Sequence, residues 1–103
     1  MAGLGDIMKQ AQRLKAEMDR LQAEAATKTV EGSAGGGMVT VVANGKGDLL
    51  SAKIDPEVAR GEDLEMLQDL VVAAANDALR KARELLAQEV SRLTGGLSLP
   101  GLF

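Results

Sequence analysis

The first quarter of the chain carries apolar residues at intervals of four, three, four, three and four positions. They are Ile7, Ala11, Leu14, Met18, Leu21 and Ala25. This heptad spacing places all six on one narrow seam and predicts a long amphipathic helix from Gly5 to Ala26. At 1.5 Å per residue this helix would be about 30 Å long. A seam this narrow suits packing against one long partner helix.

The last third of the chain carries a second apolar stripe at helical spacing. It consists of Leu64, Leu67, Val71, Ala75, Ala78, Ala82 and Leu85, and it can continue through Leu86 and Val90 to Leu93. Acidic residues favour a helix that begins near Glu62 or Asp63, and Gly95-Gly96 ends it. A helix of some 30 residues would be about 45 Å long. A body this small cannot cover such a helix fully, so part of it should project or contact another subunit.

The segment between the helices has the composition of a small sheet. Three runs favour strands, namely Thr27–Gly32, Met38–Ala43 and Leu49–Ile54. Asn44-Gly45 is a hairpin signal between the second and third runs. The stretch Gly32–Gly37 is expected to form a flexible hairpin loop, since it lacks the pattern of a phosphate-binding loop. The whole order predicts an α+β fold with a long N-terminal helix, a three-stranded antiparallel meander and a long C-terminal helix.

The length and the lack of aromatic residues limit the core. A chain of 103 residues fits a single domain, 1–103, with about residues 1–4 and 95–103 expected to be flexible. Phe103 is the only aromatic residue, so the core must use Leu, Val, Ile, Met and Ala. These side chains bury less area than aromatic ones, and a second subunit is a natural source of further burial. The sequence therefore predicts a homodimer with projecting helices.

Several classes of function are disfavoured by the residues that the chain lacks. It has neither Cys nor His, which excludes disulfides, thiolate catalysis and zinc sites of the usual Cys/His kind. The commonest general acid-base residue is therefore missing too. We predict no catalytic residues, no metal, no cofactor and no small-molecule substrate. No stretch approaches the roughly 20 apolar residues of a membrane span, and no signal peptide is recognisable. A cytoplasmic protein without a membrane partner is expected.

The formal net charge of −3 hides an uneven distribution. From Asp55 to Asp69 there are six acidic residues against one basic residue, Arg60. The remainder of the chain holds 11 basic residues against 9 acidic ones. The acidic clusters lack the spacing of an EF-hand, and acids at a helix N-terminus already have a sufficient electrostatic reason. A nucleic-acid ligand is thus compatible with the acidic total, provided that it avoids this segment.

The first helix carries a basic stripe. At 100° per residue, Lys9, Arg13 and Arg20 lie within about 40° of one another, across the helix from the apolar seam. They could bind the phosphates of a nucleic-acid backbone. The alternative is an ordinary solvated helix face, because Glu17 and Glu24 stand nearby and partly neutralise the stripe.

The last helix carries a second basic set, Arg80, Lys81, Arg83 and Arg92. These residues could contact phosphates, or they could complement the helix C-terminus and pair with Asp77, Glu84 and Glu89. The two interpretations are compatible. By contrast, Lys28, Lys46 and Lys53 are scattered over strands and turns and are expected to be solubilising edge charges.

The order of these pieces resembles the YbaB/EbfC family of nucleoid-associated proteins over essentially the whole chain. The segments that carry the resemblance are Met8–Gln12, Glu31–Val41, Asn44-Gly45, Ile54–Pro56, Asp69–Ala78 and Gly96–Gly101. Each is short, and it is their order and spacing together that make the resemblance.

The resemblance implies a homodimer whose long helices project like arms and bind double-stranded DNA in the nucleoid, with little sequence preference. It implies no catalytic activity and no cofactor. The family's DNA contacts are attributed to the first and last helices, which makes Lys9, Arg13, Arg20, Arg80, Lys81 and Arg83 the matching candidates. A role in chromosome organisation or gene regulation would follow. The competing hypothesis is a dimeric protein-interaction module without significant DNA binding, which explains the acidic total and the seam equally well.

Overall fold

A computed structural model describes residues 3–93 of the chain. Its elements in order are α1 (Leu4–Thr27), β1 (Thr29–Ala34), β2 (Val39–Asn44), β3 (Leu49–Ile54), α2 (Pro56–Ala59) and α3 (Leu64–Leu93). The three strands form one antiparallel sheet in the order β1-β2-β3. The predicted α+β fold, with a meander between two long helices, is confirmed. The expected flexibility of Met1, Ala2 and residues 95–103 lies outside the described residues.

The boundary between α1 and β1 lies two residues later than the sequence predicts. Thr27 belongs to the last turn of α1 and not to the first strand, and its hydroxyl donates to the Glu24 carbonyl at 2.6 Å. The backbone N–H of Lys28 then donates to the Ala25 carbonyl and ends the helix. The prediction fails here because a β-branched residue has a local preference for strands even when it lies at a helix end.

The glycine-rich stretch contains a hairpin turn, as predicted, but the turn is shorter than the predicted loop Gly32–Gly37. Gly32 lies inside β1, paired with Val41, and the strand continues to Ala34. The turn itself is the run Gly35, Gly36 and Gly37, whose φ angles of 65°, 67° and 97° are in the region that favours glycine. Within this stretch, only these three positions need glycine for backbone conformation. Gly32 is needed for space, because α3 passes directly over it.

The core forms where α3 crosses β1 and β2. Val39, Val41 and Ala43 of β2 meet three alanines of α3, and none of the six is more than 2% exposed; the alanines are Ala74, Ala78 and Ala82. The helix comes so close that a Cβ on Gly32 would lie 2.2 Å from the Ala78 backbone nitrogen. The core is thus aliphatic and thin, and backbone proximity replaces bulky side chains. Most of β3 lies outside this contact: five of its six residues are exposed, while the half-buried Ile54 packs against the core.

Among the described residues, α1 is buried only near its C-terminal end. Leu21 and Ala25 are buried, and the Gly45 N–H donates to the Ala25 carbonyl at 2.9 Å. Toward the N-terminus the same seam is uncovered, with Ile7 56% and Leu14 60% exposed. Within the described chain, therefore, no partner helix packs along the whole seam. The molecule is long and narrow, 71 × 24 × 18 Å, because this half of α1 projects.

The acidic residues between β3 and α3 begin helices. The Asp55 carboxylate accepts from the Glu57 N–H at the start of α2, and Asp63 accepts from the Met66 N–H at the start of α3. Both are side-chain caps of helix N-termini.

Over residues 3–93 no three acidic side chains come together as a metal site would require. No helix in that part of the chain is long and apolar enough to span a membrane.

Candidate nucleic-acid interface

The basic stripe of α1 is well formed on the projecting helix. Lys9, Arg13 and Arg20 all lie on continuous helix and all are exposed. They are opposite the Ile7/Leu14 seam, as their spacing predicts. Within residues 3–93, Lys9 and Arg13 have no carboxylate partner. Their charges are therefore available to an external anion.

Arg20 differs from the other two members of the stripe. Its guanidinium lies 2.6 Å from Glu17 and 2.8 Å from Glu24, one turn away on either side. The hydrogen bond to Glu17, supported by the charge of Glu24, raises the pKa of Arg20 above its usual value. An arginine shared by two carboxylates attracts phosphate less than a free one. The pairing favours the solvated-face interpretation at Arg20, while Lys9 and Arg13 are unpaired among the described residues.

The basic residues of α3 are mostly paired within their own helix. Arg80 lies 2.8 Å from both Asp77 and Glu84, and Arg92 lies 3.5 Å from Glu89. The predicted pairing with these three acids is confirmed. Among the described residues Arg83 has no such partner, and it lies on the opposite side of α3 from the buried Ala78.

Asp77 joins α3 to the first strand of the sheet. It accepts a hydrogen bond from the Ser33 N–H at 3.1 Å and lies 3.3 Å from the Lys81 ammonium. Lys81 also donates to the Glu31 carbonyl at 2.9 Å. The Ser33 N–H, with help from Arg80 and Lys81, lowers the pKa of Asp77 from 3.8 to about 2. This carboxylate holds the basic side chains in place, and its contact with β1 has no signal in the sequence.

We expect Asp77→Asn to lower the stability of the fold in a pH-dependent way. Because the pKa of Asp77 is lower in the folded chain than in the unfolded one, its carboxylate stabilises the fold above pH 4. That contribution is lost as the pH falls from about 4 towards 2. Urea unfolding should therefore show a lower midpoint for the variant at pH 7 and a shrinking difference in acid. The control, Glu84→Gln, removes a more exposed partner of Arg80 and should change little; a pH-independent difference for Asp77→Asn would contradict this role.

A second tertiary ion pair joins the ends of the two helices. Lys28, which follows α1, pairs with Glu89 of α3, and Glu89 is only 5% exposed. The hydrogen bond from Lys28 lowers the pKa of Glu89. The expectation that Lys28 is only a solubilising charge was wrong. The partners lie 61 positions apart, and no local signal connects them.

The structure does not bring the two basic sets into one cluster within the chain. The helices meet where Leu21 of α1 and Arg92 of α3 line a common cleft. Lys9 lies 12 residues from Leu21, and Arg80 lies 12 residues from Arg92, about 18 Å in each case. Since the helices run antiparallel from this cleft, Lys9 and Arg80 diverge from it. One duplex can contact both sets only along the length of the molecule, or through two copies of the chain.

Comparison with known proteins decides the family. The model of the YbaB/EbfC DNA-binding family matches residues 1–97. The chain belongs to this family. Among curated relatives, a nucleoid-associated protein of Syntrophobacter fumaroxidans is 57% identical over 92% of this chain and 86% of its own. One of Pelotomaculum thermopropionicum is 51% identical over 97% of this chain and 95% of its own. The resemblance found in the sequence is confirmed.

The fold is also shared with a solved structure. The crystal structure of an uncharacterized protein from Helicobacter pylori matches with a TM-score of 0.80 at 25% identity. The match covers 92% of this chain and all of the other. As a YbaB/EbfC protein, this chain thus combines the family's fold with basic side chains at Lys9, Arg13 and Arg83 that have no carboxylate partner among residues 3–93. Carboxylates hold Arg20, Arg80 and Lys81.

Proposed function

We propose that this protein binds double-stranded DNA through its phosphates, with little sequence preference, in the nucleoid of the bacterial cytoplasm. The observation that carries the proposal is the pair of uncompensated charges, Lys9 and Arg13, on a helix that projects from the body. Membership of a DNA-binding family and relatives named nucleoid-associated proteins support it. The role is that of a binding protein in chromosome organisation or gene regulation, without a catalytic step.

The chemistry of the site favours a duplex and disfavours base readout. Side chains that contact phosphates position a protein on DNA but carry no sequence information directly. Proteins that hold single strands stack bases on aromatic side chains, and Phe103 is the only aromatic residue of this chain. Arg83 adds free charge on α3, and Arg20, Arg80 and Lys81 add charge wherever a phosphate displaces a neighbouring carboxylate. The acidic residues between Asp55 and Asp69 should face away from the DNA.

We propose further that the protein acts as a homodimer in which a second copy covers the third strand. α3 covers β1 and β2 but leaves most of β3 exposed, and Leu49 and Leu50 are 51% and 53% exposed. A twofold dimer would bury such a surface on both copies and would double every basic set. A weak local excess of positive charge would then become a repeated one.

The dimer should be seen directly in solution. A stable interface buries roughly 1,200–2,000 Å² in total, and sedimentation at tens of micromolar should give twice the chain mass. Leu50→Glu places a charge on the exposed part of β3 and should yield monomers. Gln12→Glu adds the same charge on α1, away from β3, and should remain dimeric. A stable monomer of the unmodified chain at that concentration would sink the dimer proposal.

DNA binding with little sequence preference predicts similar affinities across a panel of duplexes. Fluorescence anisotropy with three duplexes of equal length and unrelated sequence should give dissociation constants within a fewfold of one another. Non-specific binders commonly lie near 10⁻⁴–10⁻⁶ M at physiological salt. A single strand of the same length should bind more weakly. No binding to any duplex at low salt would instead favour the dimeric protein-interaction module.

A further inference from the structure

The N-terminal half of α1 has an apolar face that nothing in the described chain covers. Leu4 is 74% exposed, Ile7 56%, Met8 54% and Leu14 60%, while the same seam is buried at Leu21. An isolated helix of about 12–15 residues is marginal in water, and most helices in proteins are stabilised by packing of their apolar face. We therefore expect another segment to pack on the apolar face of the N-terminal half of α1, which carries Lys9 and Arg13.

The position of the C-terminal end of α3 indicates which segment packs on this face. Arg92 lines a cleft with Leu21, so α3 ends at Leu93 beside the point where the exposed seam begins. α3 runs antiparallel to α1, so its C-terminal end points towards the N-terminus of α1. Residues 94–103 contain no charged side chain. Four of these ten residues are large and apolar: Leu97, Leu99, Leu102 and Phe103.

We propose that the segment 97–103 docks on the exposed seam of α1 in the same chain. The reach is sufficient: from the level of Leu21 to Leu4 the helix rises about 26 Å. Ten residues span up to about 33 Å when extended. Pro100 favours an extended backbone at Leu99, and in an extended segment Leu97 and Leu99 lie on the same side. The segment 97–103 and the exposed seam of α1 are thus both apolar, both free of charged side chains and compatible in length.

The covalent connection favours docking of the tail on its own chain over docking of the tail of a second copy. A short covalent tether gives a segment an effective concentration of the order of millimolar, far above the concentration of free chains in a dilute sample. Docking there leaves Lys9 and Arg13 free, because they lie on the opposite side of α1. The tail would stabilise the arm without touching its basic stripe. This inference holds whether or not DNA is the ligand.

Disulfide trapping tests the proposal, because the chain has no cysteine of its own. The pair Leu14→Cys with Leu99→Cys should close within one chain under mild oxidation. The control pair, Ala16→Cys with Leu99→Cys, places the first thiol two residues on, on the opposite face of α1, and should close at least tenfold more slowly. Equal rates for the two pairs would overturn the proposal.

Mixing the single variants identifies the chain that supplies the tail. If Leu14→Cys and Leu99→Cys are carried on different chains, little crosslinked product is expected. If crosslinks between chains formed as fast as the crosslink within one chain, a second copy would cover the seam. That result would contradict docking in the same chain.

Hydrogen exchange provides an independent readout on the uncrosslinked protein. Replacing the four large apolar residues of the tail with serine keeps its length, and it should speed amide exchange in residues 7–16 at least tenfold. Exchange in β2 and in the Ala74–Ala82 part of α3 should not change. Unaltered exchange in residues 7–16 would show that the seam gains nothing from the tail and would overturn the proposal.

Discussion

Replacing Gly32 with alanine is expected to lower the free energy of unfolding by about 3 kcal/mol or more, at the upper end of overpacking effects. A Cβ at this position would lie 2.2 Å from the Ala78 nitrogen and 2.5 Å from the Ala74 carbonyl oxygen. Both are backbone atoms of α3, so no side-chain rotation can relieve the clash. The helix must move away from β1, and the hydrogen bond from the Ser33 N–H to Asp77 would be disturbed with it.

The matched control is Gly5→Ala, in the first turns of α1. A Cβ there meets no atom within 4 Å, and alanine is favoured over glycine in a helix by roughly 0.5–1 kcal/mol. Urea unfolding followed by circular dichroism should give an unchanged or raised midpoint for Gly5→Ala and a much lower one for Gly32→Ala. Failure of Gly32→Ala to fold at all would agree with the structure. A wild-type midpoint for Gly32→Ala would refute the close packing of β1 on α3.

DNA binding should weaken strongly when the two unpaired charges of the α1 stripe are removed. Lys9→Gln with Arg13→Gln should lower the affinity for every duplex at least tenfold at moderate salt, because a dimer then has four fewer positive charges on its binding surface. Folding and dimer formation should survive, since both side chains are exposed and lie off the seam.

The control for that variant removes the same number of charges elsewhere. Lys46→Gln with Arg60→Gln changes the exposed lysine of the β2–β3 turn and the exposed arginine that follows α2, and should weaken binding only slightly through the change in net charge. If both double variants show the same drop in affinity, then the drop reflects total charge and the stripe has no special role.

The sequence was sufficient for the order and nearly all the bounds of the elements. Apolar spacing located α1 and α3, a β-branched run located β2, and the Asn44-Gly45 turn signal located β3 after it, because those signals are local. The prediction failed at Thr27, which ends α1, and at Ser33 and Ala34, which extend β1 beyond the predicted Gly32. Glycine inside a strand often marks a place where another backbone approaches closely, and α3 packs on Gly32 in this way. The sequence pattern does not show that contact, because the two partners are far apart along the chain.

The candidate site was predictable to the same extent. The pairs of Arg80 with Asp77 and Glu84 follow from spacings of three and four along one helix. The distinction between a held Arg20 and a free Arg13 requires side-chain geometry, since both have acids within four positions. The Lys28–Glu89 pair depends on how the helices cross, which the sequence does not reveal.

The salt dependence of duplex binding distinguishes phosphate binding from the alternatives. If the protein holds DNA through phosphates, the logarithm of its binding constant should fall linearly with the logarithm of salt concentration, with a slope of about −0.9 per neutralised phosphate. The variant Lys9→Gln with Arg13→Gln should show a slope shallower by about 0.9 for each phosphate that the dimer no longer neutralises. Binding that is insensitive to salt, or a variant with the parent's affinity and slope, would contradict phosphate binding by the α1 stripe.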